Sequence, residues 1–70
     1  MHYKHMPGAI VSIYDDPITE KHFYGKAKLI KFESSYTIDE NSWIEMWLAD
    51  FEDEGERTVS IKCNEKLNEL

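Results

Sequence analysis

SWIEMWLADF, residues 42–51, fits two periodicities, and the choice between them sets the fold. Read as a strand, Ile44, Met46 and Leu48 make one face, and Trp43, Trp47 and Phe51 make the other. Read as a helix, Ser42 and Glu45 form a capping box, and Trp43, Trp47 and Phe51 form a stripe at four-residue spacing. Two features favour the strand. Tryptophan suits a pleated, half-buried surface. The following EDEGER reads as a hairpin connection into RTVSIKC, where Val59, Ile61 and Cys63 alternate along one face. The strand reading sends the indoles to the outer wall of a small barrel. The helix reading turns both inward.

The same alternation recurs upstream. Ala9, Val11 and Ile13 alternate with Ile10, Ser12 and Tyr14, so a strand runs to about Asp15. Pro17 makes Asp16 extended and presets a turn. YDDPITEKHFYG, residues 14–25, then reads as an acidic connection of roughly ten residues, unusually long between strands. A second strand is expected from about Phe23 to Phe32. Its Ala27 and Leu29 share a face opposite Lys26 and Lys28. After Leu29 the phase slips, as at a bulge or sharp bend, and Gly25 marks a further point of close approach or coiling. ESSYTIDENS reads as a polar loop. Residues 1–7 read as a flexible lead-in, 8–63 as one barrel domain, and 64–70 as a tail. Leu67 and Leu70 in the tail could sit on a short C-terminal helical turn over an open barrel end.

Composition narrows the function. Seventy residues allow one domain with a thin core and little room for a deep pocket. The net charge of -6 disfavours direct binding to phosphates or anionic lipid. With Cys63 as the single cysteine, no intrachain disulfide can form, and a reducing, cytoplasmic setting is expected. No apolar run approaches the roughly 20 residues of a membrane span.

Most of the chain resembles SH3 domains. IYDDPITEKHF looks like the ALYDY motif and its following loop, FYGKAKLI like the next strand pair, MWLAD like the WWxA segment, and IKCN like IPxN. The resemblance implies an all-β, SH3-like barrel of four to five antiparallel strands. In that family a shallow aromatic groove binds proline-rich peptides. Here Met46 stands at the family's ligand-contacting tryptophan, with Trp47 beside it. Lys62 replaces the groove proline and Glu65 the following tyrosine. The resemblance therefore speaks for fold more than for that ligand. IYDDPIT also resembles a stretch in small bacterial and phage proteins, which carries no function.

Each candidate chemistry has a plainer alternative. Asp15, Asp16 and Glu20 lack the glycine-centred pattern of a calcium loop, and turn formation accounts for them. His2, His5 and His22 show no paired zinc spacing, and the first two fall in the lead-in, so no metal is assigned. Cys63 has no neighbouring base in the sequence and reads as a core thiol. No glycine-rich phosphate loop, GxSxG or HExxH is present, so no catalytic residue and no cofactor is assigned. The aromatics outnumber what a thin core holds, and exposed tryptophan and tyrosine are typical of binding hot spots.

The charges are segregated. Eight acids and no base lie between Asp39 and Glu56, and four lysines and no acid between Lys21 and Lys31. Lys26 and Lys28 would then face Glu45 across a ladder. The expected function is a non-catalytic protein-interaction module. Tyr14, Asp15, Asp16, Trp43, Met46 and Trp47 would form its docking patch, with Glu52, Asp53, Glu54 and Glu56 as an acidic rim. The partner would be another protein with a basic or apolar surface. A homodimer is left open. The alternative is an acidic nucleic-acid mimic from a phage or mobile element that blocks a DNA-binding protein. A base-stacking nucleic-acid binder ranks below both, because of the acidity.

Overall fold

A computed structural model describes residues 5–64 of the chain. They form four strands: β1 (Ile10–Asp16), β2 (Lys21–Asp39), β3 (Ser42–Phe51) and β4 (Gly55–Asn64). All neighbours pair antiparallel in one sheet of order β1-β2-β3-β4. Each connection is a tight turn, so the chain is a simple meander. The all-β expectation holds, and SWIEMWLADF is strand. The barrel does not hold: the sheet is open, with β1 and β4 as its two edges. The expected C-terminal helical turn lies outside the described residues. Among the described residues no helix is long and apolar enough to cross a membrane.

The bends come from β2. At Leu29 its register to β3 slips, as the phase change predicts, and it slips again after Phe32. Its pairing with β1 also shifts, between Ile13 and Tyr14, where Tyr24 is the extra residue. Bulges add twist and bend the strand that carries them. A sheet bent this way wraps around one face. Ile13, Ala27, Leu29, Trp47, Ala49, Phe51, Val59 and Ile61 fill that concave face, with Ala9, Val11 and Phe32 packed against them. Gly25 is not a point of crowding, since a β-carbon there would meet the Phe51 ring at an ordinary 3.9 Å.

Three expectations need correction. First, ESSYTIDENS is strand as far as Asp39. It reads as a loop because this half of β2 pairs only with β3 and exposes most of its side chains. Second, the connection after β1 is short. Strand pairing extends to Asp16 and Lys21, leaving only Pro17–Glu20 to turn. Third, the alternation in β3 is right, but it is the row of Trp47, Ala49 and Phe51 that joins the core cluster. Trp47 has no exposed surface and Trp43 is half-buried, while on the other face Ile44 is fully buried and Met46 and Leu48 are half-buried. The indoles are the largest apolar bodies available, so the core takes them. Glu45 disguises this, because it sits on the same face and is also fully buried. It stands opposite Ser35 in register, not opposite a lysine; Lys28 faces Asp50 instead.

Candidate functional site

The sheet edges β1 and β4 come together without pairing and leave a groove of about 240 Å³. Ile13 and Val59, both buried core residues, lie on its two sides, and Phe51 joins them. Tyr14, Asp15 and Pro17 border it from β1 and the following turn. Arg57, Thr58 and Ser60 border it from β4. Each edge strand has backbone groups directed away from its only ladder, which is the usual receptor for an added strand.

Both ends of the groove are held in place. At one end the β1–β2 turn is fixed by Asp16, whose Oδ1 accepts from the amides of Ile18 at 3.1 Å and Thr19 at 3.3 Å. Hydrogen bonds from Thr19, side chain first and then backbone, hold the Asp16 carboxyl below its usual range. The Lys62 ammonium donates to the Ile18 carbonyl at 3.2 Å, which ties this turn to β4. At the other end the Tyr24 hydroxyl donates to Glu54, and that bond pushes the phenol pKa up. Arg57 donates to the Tyr24 oxygen at 3.2 Å and pairs with Glu54 at 3.4 Å. Its guanidinium lies 5.5 Å from the centres of both the Tyr24 and Phe51 rings.

No family model, curated protein or solved structure matches this chain. The site is therefore read from its own geometry.

The structure divides the expected patch. Tyr14 and Asp15 border the groove, and Asp16 builds the adjoining turn. Trp47 is withdrawn into the core, edge-on to Phe32 at 5.7 Å, and cannot dock a partner. Met46 lies on the opposite face, where the Ser60 hydroxyl donates to its sulfur at 3.0 Å. Trp43 is half-buried and engaged below. Of the acidic rim, Glu52, Asp53 and Glu54 form the exposed β3–β4 turn, and Glu56 is exposed on β4 opposite Asp50. Tyr24, Arg57 and Thr58 were absent from the expected patch. The pairing of Glu54 with the chain's lone arginine three residues on was the only local signal for them.

A second cluster lies on the concave face, away from the groove. Glu45 Oε2 accepts from the Trp43 indole at 2.9 Å, and Oε1 accepts from the Trp47 indole at 3.0 Å. His5 approaches the same carboxylate, with Nδ1 3.2 Å from Oε1. Cys63 Sγ is 3.6 Å from that nitrogen. His5, expected in the lead-in, makes these contacts from just ahead of Gly8 and Ala9. Its segment is anchored to β2 by hydrogen bonds from Gly8 N–H to the Leu29 carbonyl (2.7 Å) and from Leu29 N–H to the Ala9 carbonyl (2.8 Å). His2 lies outside the described residues.

Proposed function

We propose that the protein is a non-catalytic interaction module that receives an extended segment of a partner protein in the β1–β4 groove. The observation that carries this is the meeting of two unpaired sheet edges over Ile13, Phe51 and Val59. An added strand would gain main-chain hydrogen bonds from an edge and place alternate side chains into the apolar floor. Tyr14 and Tyr24 at the border are side chains of the kind that dominate binding energy. The net charge of -6 and the acidic Glu52–Glu54 turn beside the groove favour a basic segment. Tyr14 and Asp15 border the groove just before the β1–β2 turn, which supports an SH3-like reading of the sheet.

The nucleic-acid mimic is less well supported. A phosphate-like track needs an uninterrupted row of carboxylates, whereas Lys28 stands opposite Asp50 and Arg57 engages Glu54.

The test is to pan a random peptide library on phage against the full chain. A recovered synthetic peptide is then titrated into ¹⁵N-labelled protein. Enrichment of Lys and Arg among alternating apolar residues is expected, with amide shifts clustered at residues 13–15 and 57–60. Tyr14→Ala should weaken the peptide by about tenfold. Shifts confined to the Met46 face, or competition by duplex DNA for one basic partner, would reject the groove.

A further inference from the structure

We propose that His5, Glu45 and Cys63 form a binding site for a borderline divalent transition metal of the Zn²⁺ type. The three residues come from separate parts of the chain. Trp43 pairs with Cys63 and Glu45 with Ile61, so Glu45 and Cys63 are diagonal neighbours on the concave face of the β3–β4 ladder. His5 is brought over them by the anchored segment before β1, which turns where the Ala9 N–H donates to the Met6 carbonyl at 3.1 Å. One donor atom from each residue lies within 4.8 Å of the other two.

The spacing suits a shared ion. Zinc bonds of about 2.0–2.1 Å to nitrogen and oxygen and about 2.3 Å to sulfur, at tetrahedral angles, place N and O about 3.3 Å apart and N and S about 3.6 Å apart. The observed separations are 3.2 Å and 3.6 Å. Both contacts go to one nitrogen, Nδ1. A proton relay of the Cys-His-acid kind uses the two ring nitrogens on opposite sides, with the thiol open to substrate. Here Cys63 is 1% exposed and both partners meet the same ring nitrogen, so the three donor atoms form one cluster within 4.8 Å instead of a relay through both nitrogens.

The surroundings complete the site. The Trp43 and Trp47 indoles fix the carboxylate from behind, as outer-shell donors fix metal ligands. Glu45 and Cys63 are buried, while the His5 side chain is 21% exposed, so solvent reaches the cluster from the His5 side. A fourth ligand, water or a group from a partner, would enter there. The mixed N, O and S set excludes the oxygen-seeking Mg²⁺ and Ca²⁺ and is less soft than Cu(I) prefers. Binding displaces the Cys63 thiol proton to solvent and clamps the segment before β1 onto β3 and β4.

Co²⁺ titrated into the reduced full chain tests this. The expected result is one ion per chain, a thiolate-to-cobalt charge-transfer band in the near ultraviolet and the strong visible bands of four-coordinate Co²⁺. Cys63→Ser should abolish the charge-transfer band. His5→Ala, at a partly exposed position that preserves the fold, should weaken Co²⁺ by more than about a hundredfold, beyond what an outer-shell change does. Trp43→Phe should weaken it by about tenfold and keep the band. Absence of the band in the wild-type chain overturns the site. So does Co²⁺ binding that survives His5→Ala and is lost instead in a His2→Ala, His22→Ala double variant.

Discussion

A carboxylate without exposed surface is tolerated in an apolar core only when its lone pairs are taken. Glu45 meets that condition through the spacing Trp-x-Glu-x-Trp, which puts both indole N–H groups on the carboxylate's own side of β3. Glutamine at this position tests the arrangement without changing volume. Its amide offers one oxygen and one NH₂, so one indole N–H must face another donor. Glu45→Gln should therefore destabilise by about 1–3 kcal/mol in urea unfolding, the cost of an unsatisfied buried polar group. Trp43→Phe removes one opposing donor and should cost about 1 kcal/mol alone. The double variant should be less unstable than the sum, because the glutamine NH₂ can then occupy the side the indole has left. Full additivity would mean that the two indoles do not share one acceptor.

At the scale of elements, the turns are set by aspartates. Asp16 caps the first turn, and Asp39 Oδ1 accepts from the Asn41 amide at 2.8 Å in the second. Hydrogen bonds lower both carboxyl pKa values, from Thr19 for Asp16 and from the Asn41 backbone for Asp39. A depressed folded pKa stabilises fully above the unfolded value, about 3.9, and that contribution is lost as pH falls through the folded value. The melting-temperature gap between wild type and Asp16→Ala should thus be widest near neutrality and shrink below about pH 4. A gap independent of pH would assign the loss to packing. Strain sits at the end of the same turn and the start of β2: Glu20 has φ of 58° and His22 of 62°, a region that favours glycine. Glu20→Gly should raise stability by about 1 kcal/mol, seen as a higher urea midpoint with unchanged slope. These turns explain what was legible. Pro17 and the EDEGER run signal reversals, period-two alternation identifies β1, the first half of β2 and β4, and the tryptophans with the following hairpin decide β3. The ESSYTIDENS half of β2 was hidden because one-sided pairing leaves its composition loop-like. The side of β3 that faces inward was hidden because Glu45 marks that row as polar until its indole partners are seen. Of the groove, Tyr14 and Asp15 were legible beside their turn. Arg57, Thr58 and His5 were not, because only long-range folding brings them to their sites.

For the molecule as a whole, charge acts on folding and on binding with opposite sign. Fourteen acids against eight bases leave a net charge of -6 on a small sheet. Self-repulsion of that kind opposes the compact state, and salt screens it, with a Debye length of about 10 Å at 0.1 M. Local pairing works the other way, but the Arg57–Glu54 pair is half open to solvent on both sides and adds little. Raising NaCl from about 0.02 to about 0.5 M should therefore raise the melting temperature, by about 3 °C if the relief is about half a kcal/mol. The same change should weaken a basic peptide in the β1–β4 groove, mostly through slower association, since the acidic turn attracts it over distance. Thermal melts and peptide titrations across one salt series check both trends together. If salt strengthens the peptide as well as the fold, apolar burial at Ile13, Phe51 and Val59 governs the groove, and the partner has no need to be basic. If salt weakens both, the Lys28–Asp50 row and the Arg57 cluster contribute more to the fold than net repulsion removes.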